Sequence, residues 1–400
     1  MITREEIYAK AEGLLEFGIE REPVTEKWNR VNEERAFWQN PIHAVAALNN
    51  GDLDHALLAL LKENTDKVFD GLDVAAAAID ADAKLLYVPE GEEALAEEIS
   101  AKAAARGIEV RTGIVDVRYS RGGAFHHFET LIALADILEG TYEPAAYMAV
   151  RAGGKTGGLI RAEYGTKLAD VITQAGADAD DIRAIALGNT LYKPEDALDM
   201  AIEADTNIGN GVITLYPKNC CMVHEADENL AAYKKASCGK CTFCREGLIQ
   251  LKANTAEITG GQGRKGCTAM MEEIGEAMTF SGQCTIGKTA ADFTLGTLKL
   301  FPEEYEDHIR KKKCANNVCQ AFSTIYIDPN ECQGCEDCID VCPADAIEGK
   351  KGYIHMIDEY ECTKCKKCIE ACEYEAIILT TGRVPKLPER LVKVGRFRKH

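Results

Sequence analysis

The chain has 400 residues, of which 46% are hydrophobic and 28% charged, with a formal net charge of −19. These are the proportions of a globular chain, and they exclude disorder, collagen and coiled coil as a description of the whole. No apolar run approaches the roughly 18 residues of a membrane helix, the start MITREEIYAKAEGLLEFG lacks the apolar core of a signal peptide, and the acidic surface repels nucleic acid and anionic membrane.

Residues 1–60 are expected to form an N-terminal helical segment. REEIYAKAEGLLEF and EKWNRVNEERAFW place apolar residues at helical spacing on either side of Pro23. IHAVAALNNGDLDHALLALL reads as a helix, a turn at Asn49-Asn50-Gly51 and a second helix. From residue 73 the pattern alternates between helix and strand. DVAAAAIDADAKLLYV ends in an apolar run of strand type, EEALAEEISAKAAARG is a helix stopped at Gly107, IEVRTGIVDVRYS reads as a strand, and HHFETLIALADILEG as a helix. Over 145–217, AAYMAVRAGG, GGLIRAEYG and IRAIALGN read as strands, TKLADVITQAG as a helix, and RAGGKTGG as a hairpin turn. Residues 225–310 are mainly helical with a Gly-rich break at 260–266, and 324–382 form a short α/β module. The tail 383–400 carries seven Lys or Arg against one Glu, a solvated or partner-docking composition.

All 17 cysteines lie at or after Cys220, in tight C-x-x-C groups, which points to metal or cluster ligation rather than a disulfide scaffold. CQGCEDCIDVCPADAIEG and CTKCKKCIEACEYEAI repeat one pattern thirty residues apart (Cys332 against Cys362). Each has the spacing C-x2-C-x2-C-x3-C, in which three cysteines wrap a cubane and the fourth comes from the other half. One [4Fe–4S] cluster is therefore expected on Cys332, Cys335, Cys338 and Cys372, and another on Cys362, Cys365, Cys368 and Cys342. Paired zinc sites would need separated C-x2-C pairs instead. A further triad, Cys238, Cys241 and Cys244 in SCGKCTFCREG, needs a distant fourth ligand; on spacing alone either Cys267 or Cys284 would serve.

SCGKCTFCREG followed by QCTIG resembles the cluster-binding region of the NADH-binding flavoprotein of respiratory complex I, whose family also occurs in NAD-linked and bifurcating hydrogenases. The resemblance implies Cys284 as fourth ligand and leaves Cys267 as a buried thiol. HFETLIALADILEG is similar to the family's lead into a β-grasp domain of the SLBB type, which GGLIRAEYGTKLADVITQAGA resembles. FDGLDVAAAAIDADAKLLYVPEGEEALAEEISAKAAARGIEV resembles half of the flavin domain, and the appended ferredoxin module looks like that of bifurcating hydrogenases. The family's Gly-rich flavin loop (GRGGAGFPTG type) and its CGEETAL segment have no counterpart here. His126, His127 and Phe128 replace the residues before the family's ET pair, and SRGGAF at 120–125 keeps a glycine pair in another place. FMN and NAD are accordingly expected to be absent.

Two motifs carry other readings. GQCTIGKT at 282–289 fits G-x4-G-K-[ST], but Cys284 sits inside the loop and AMTFSG before it is a poor strand. GQGRKG at 261–266 lies between helices and reads as a loop. A zinc site is a candidate on His308, Cys314 and Cys319 with His355 closing the tetrahedron, and relatives with a similar junction favour it. Cys220-Cys221, adjacent in sequence, are expected to be core residues of a strand.

The sequence thus reads as a multidomain α/β and α+β chain: a helical segment (1–60), a truncated α/β flavin-type domain (61–145), an SLBB-like β-grasp domain (146–222), a helical [4Fe–4S] domain (223–312), a two-[4Fe–4S] ferredoxin domain (313–382) and a basic tail (383–400). It is expected to be a cytoplasmic electron-transfer subunit with three [4Fe–4S] clusters and no catalytic residue of its own. Its expected partners are other subunits of a redox complex, including a flavin- or substrate-binding one, with ferredoxin as a candidate. The alternatives are a complete FMN-dependent NADH-oxidising subunit and a cluster-bearing scaffold.

Overall fold

A computed structural model describes residues 2–18, 21–38, 41–116, 119, 124–381 and 384–397. It resolves two compact units, one of residues 1–220, 226–253 and 268–301, the other of 221–225, 254–267 and 302–400.

The first unit opens with α1 (Arg4–Lys10), started by a capping box in which Thr3 and Glu6 satisfy each other's backbone N–H groups. After it comes α2 (Val24–Trp38). Ile7, Val24 and Trp28 from this segment share one apolar core with the strands that follow. Those strands are β1 (His43–Ala47), β2 (Ala83–Val88), β3 (Ile108–Thr112) and β4 (Ala124–His127), all parallel in the order β3-β2-β1-β4. The connections run through α3 (Ala59–Glu63), α4 (Thr65–Ile79) and α5 (Glu93–Ala105), and α6 (Phe128–Glu139) follows β4 directly. Helices α4 and α6 touch so closely that a Cβ on Gly71 would lie 2.0 Å from the Leu131 carbonyl oxygen, so only glycine fits there.

Two expectations are corrected here. Residues 43–47 are not helix but the strand β1, in the middle of the sheet. Ala44, Val45, Ala46 and Ala47 are buried on both faces, so the run is continuously apolar, and periodicity alone cannot tell such a strand from a buried helix. The strand expected over IEVRTGIVDVRYS ends at Thr112, where Gly113 takes a positive φ of 102°. Most of the glycine pair's segment, 120–123, lies outside the described residues.

A second, mixed sheet is formed by β5 (Ala145–Ala152), β6 (Lys155–Thr156), β7 (Ile160–Glu163), β8 (Ile182–Leu187), β9 (Thr190–Tyr192) and β10 (Val212–Pro217). Its order is β6-β5-β10-β8-β9, with β7 also on β5. Only the β5–β10 pair is parallel. The helix α7 (Leu168–Gln174) follows β7, and the RAGGKTGG hairpin turns through Gly153 and Gly154, both at positive φ. Helices Met222–Ala236, Thr242–Thr259, Cys267–Ser281 and Thr285–Leu300 come next in the chain, with the Gly-rich 260–266 break between the second and third. Among the described residues no helix is long and apolar enough to cross a membrane.

In the second unit, strands Thr324–Ile327 and Ile377–Thr380 pair antiparallel, as do Ile347–Glu348 and Met356–Ile357. Two short helices, Asp337–Asp340 and Lys367–Glu370, occupy equivalent places in the duplicated halves. The repeat extends to the backbone: Gly334 and Lys364, Glu336 and Lys366, and Asp345 and Glu375 are all left-handed.

The core of the first unit holds one acid with an unusual proton affinity. Glu129, in the first turn of α6, is buried, and burial pushes its carboxyl up to about 8. A carboxyl raised in the fold contributes stability that is complete below its unfolded value and is lost as pH rises through about 8. Glu129→Gln should therefore flatten the decline in stability between pH 5 and pH 9 and exceed the parent at the alkaline end. The difference, of the order of 4 kcal/mol at most, is read from denaturant midpoints against pH.

Candidate iron–sulfur and metal centres

The first triad begins between helices and ends inside Thr242–Thr259, so Cys238 is exposed, Cys241 half-buried and Cys244 buried. Cys284 caps the N-terminus of Thr285–Leu300. A Cβ on Gly287 would stand 3.2 Å from Sγ of Cys244, so the glycine lets this first turn close over the triad. Burial pushes the Cys284 thiol up to about 11, and the nearby Cys244 and Cys238 thiols add to the effect. Cys267 belongs to the other unit, at the start of its own helix. The segment before the GQCTIGKT loop is the helix Cys267–Ser281, not the buried strand a phosphate loop requires.

The ferredoxin-type cysteines sit in a small core with Ile325, Ile327, Ile347, Ile354 and Ile377. Burial pushes Cys338 up to about 12, and the neighbouring Cys332, Cys335 and Cys368 thiols add to the rise. The Cys368 thiol is also raised, first by burial and then by Cys362, Cys365 and Cys342. Cys342 thus lies near Cys368 of the second motif, and Cys368 in turn near Cys338 of the first. Backbone N–H groups already point at sulfur: Ala346 N–H donates to Cys342 Sγ and Lys364 N–H to Cys362 Sγ, both at 3.4 Å. Such contacts orient thiolates and tune a cluster's potential. The two halves differ in charge at matched positions. Glu336 and Asp337 precede Cys338, whereas Lys366 and Lys367 precede Cys368.

The third group is Cys221, His308, Cys314 and Cys319, all buried, with ligand atoms within 4.8 Å of one another. Cys221 Sγ lies 3.4 Å from His308 Nε2 and 3.8 Å from Cys319 Sγ, and His308 Nε2 lies 3.3 Å from Cys319 Sγ. Tetrahedral zinc with ordinary bond lengths would separate two sulfurs by about 3.8 Å and sulfur from nitrogen by about 3.6 Å. His308 lies on a π-helical turn, Asp307–Lys311, and its Nδ1 is 2.7 Å from the Glu304 carbonyl. An Nδ1–H donated there leaves Nε2 free to ligate. Within the group the contact with Cys221 holds the Cys314 thiol well below its ordinary range.

Two expectations change. Cys221 is not a residue of a core strand: it lies just before the helix Met222–Ala236 and supplies the fourth corner. Adjacent cysteines cannot both chelate one ion well, but one of the two can join a group assembled from residues 87 and more positions away, which spacing alone does not reveal. His355 is absent from the group. It packs on Gly349, and its Nδ1 is 3.4 Å from Cys338 Sγ. Protonated at Nδ1, it donates to a sulfur of the first ferredoxin motif. Such a bond, stronger by about 1 kcal/mol to a reduced cluster, corresponds to roughly 40 mV for one electron. His355→Leu should lower one cluster potential by that amount in an EPR-monitored redox titration.

Residues 224–308 match the NADH-ubiquinone oxidoreductase-F iron-sulfur binding region, and residues 324–373 match the 4Fe-4S dicluster domain. Over these two regions the chain is similar to NADH-ubiquinone oxidoreductase F proteins with 4Fe-4S regions. It is 33% identical over 211 residues to HndC, a component of the NADP-reducing hydrogenase of Solidesulfovibrio fructosivorans, which is 50% of this chain and 43% of that protein. It is 30% identical over 128 residues to the F component of the NADH-quinone oxidoreductase of Streptomyces coelicolor, 32% of this chain and 28% of that one. The chain therefore spans less than half the length of these curated proteins. Its fold is similar to a chain of the NAD+-reducing [NiFe]-hydrogenase in the H2-reduced state, with a TM-score of 0.60, 19% identity, and coverage of 77% of this chain and 63% of that one. The chain is thus a mixed α/β protein with a 4Fe-4S ferredoxin-like domain.

Proposed function

We propose that this chain is an iron–sulfur electron-transfer subunit of a multi-subunit oxidoreductase. It would hold three [4Fe–4S] clusters, on Cys238, Cys241, Cys244 and Cys284, on Cys332, Cys335, Cys338 and Cys372, and on Cys362, Cys365, Cys368 and Cys342. The observation that supports the reading is the grouping of thiols: the turn that begins at Cys284 closes on Cys244, and Cys332, Cys338 and Cys368 share one core with Cys342 and Cys372 packed against it. When bound, such clusters transfer single electrons without an open coordination position. The chain's own residues hold thiolates, donate N–H groups to sulfur and exclude water from Cys244, Cys338 and Cys368. The thiols raised by burial stay protonated until they ligate, so cluster loading releases protons and proceeds better at alkaline pH. The mixed sheet is read as an SLBB-type docking domain, and the buried Cys221, His308, Cys314 and Cys319 as a structural zinc site.

The relatives' own assemblies, a hydrogenase and NADH-quinone oxidoreductases, support partner subunits within a cytoplasmic complex, one of which carries the flavin or substrate site. The same relatives favour a second reading, a complete FMN-dependent NADH-oxidising subunit. One experiment separates the two: iron and acid-released flavin measured on the same anaerobically purified sample. About 12 iron atoms per chain without flavin are expected for the relay. Stoichiometric FMN would replace the relay by the NADH-oxidising reading.

A further inference from the structure

The order β3-β2-β1-β4 places a topological switch point between β1 and β4, since the chain leaves β1 toward β2 on one side while β4 pairs on the other. In open parallel sheets, ligands bind outside the carboxyl ends of the strands at that crevice. Here the two strands end side by side, Ala47 opposite His127, and α6 begins at once with His127 as its N-cap. This is where a helix N-terminus would receive an anion.

An anion of the chain itself is already seated there. The carboxylate of Glu16 is buried and meets four donors. His127 N–H (3.1 Å) and Thr130 Oγ1 (2.8 Å) donate to Oε1, while Lys27 Nζ (3.3 Å) and His126 Nδ1 approach Oε2. These fill the acceptor positions of a carboxylate. Phe17 follows: its N–H donates to Thr130 Oγ1, and its ring stacks on the His127 imidazole at 4.2 Å. His127 Nε2 is buried and has no hydrogen-bond partner among the described residues. Between β1 and β4 only a cavity of about 110 Å³ remains, bordered by Glu16, Phe17, Asn49, Asn50, Phe125 and Cys284, while a wider one of about 470 Å³ opens on the other side of β1, over the ends of β2 and β3. Pockets that take cofactor-sized ligands begin at about 300 Å³.

We propose that the segment 14–18 is a built-in occupant of the crevice between β1 and β4, with the Glu16 carboxylate in the seat of a phosphate monoester, so that the phosphate of a phosphorylated flavin is shut out of that crevice while the segment is docked. The inference rests on the proposed relay function, in which the flavin lies on a partner, and it gives that function a physical cause. The N-terminal segment then acts as a plug that keeps the sheet whole without a cofactor.

The test uses the full-length, cluster-loaded chain and its Glu16→Ala variant, each titrated with orthophosphate and with FMN. The readouts are the unfolding temperature and the fluorescence of Trp28, whose indole N–H donates to His126. The parent should be indifferent to both compounds. Glu16→Ala leaves Lys27 buried without its closest carboxylate and should lose about 10 °C, with a saturable recovery in orthophosphate. Binding of either compound by the parent would overturn the proposal, as would a folded variant that ignores orthophosphate. Glu16→Gln keeps the volume and removes the charge. It should lose a similar amount without recovery, and parent-like stability in this variant would also overturn the proposal. Failure in the orthophosphate arm leaves the relay standing, because iron and acid-released flavin on the same sample report on that function separately.

Discussion

Cys342→Ala is expected to remove the cluster of the second ferredoxin motif and leave the first intact. Cys342 lies in the first motif by sequence, yet the thiols acting on Cys368 are Cys362, Cys365 and Cys342. Three short-range cysteines in each half supply only three corners of a cubane, so each half completes the other. Iron should fall from about 12 to about 8 atoms per chain. The remaining EPR signals should match those of Cys365→Ala and differ from those of Cys335→Ala. If Cys342→Ala instead matched Cys335→Ala, each half would be ligating its own cluster, and the crossed assignment would be wrong.

Cys221→Ala should strip the zinc and unfold the segment around it. The four ligand atoms come from residue 221 and from 308–319. The T-shaped contact of His308 with Phe322 and the Met222 N–H bond to Glu304 also tie this region together, but each is a single weak contact. Structural zinc in small sites supplies on the order of 10 kcal/mol, comparable to the whole stability of a domain. Metal analysis should give one zinc per chain in the parent and none in Cys221→Ala. Limited proteolysis should then open the 308–323 region. His355→Ala is the control and should retain its zinc. Zinc kept in Cys221→Ala but lost in His355→Ala would restore the sequence-based assignment.

The sequence made some of this visible for identifiable reasons. Cluster motifs are local: spacing within fifteen residues determines which thiols can reach one ion, and the duplication at thirty residues repeats the pattern. The helix Glu93–Ala105 announces itself by its Ala, Glu and Lys content and its stop at Gly107, and Thr285–Leu300 by the period of its apolar residues. The strand β1 did not, because a strand buried on both faces has no alternation to read. Cys221 was missed because its partners lie far along the chain, and adjacency to Cys220 argued against it. Glu16 carried no signal at all. Within REEIYAKAEGLLEFG it is one acid among several, and only the docking of residues 14–18 against β4 makes it the buried one. The resemblance to a flavoprotein family left its Gly-rich loop without a counterpart in this sequence, and it gave no sign of Glu16.

The duplicated halves of the ferredoxin module share a backbone down to their left-handed residues, yet one carries Glu336 and Asp337 where the other carries Lys366 and Lys367. Adding an electron makes a cluster more negative, so nearby lysines favour reduction and nearby carboxylates oppose it. If both proposed clusters are bound, these four side chains favour reduction on the Cys362–Cys365–Cys368 side and work against the His355 donor on Cys338. That side also exposes Cys365 and a fully exposed aromatic, Tyr360. The duplication thus supplies two alike half-modules, and two reversed charges on each would make the proposed steps unequal.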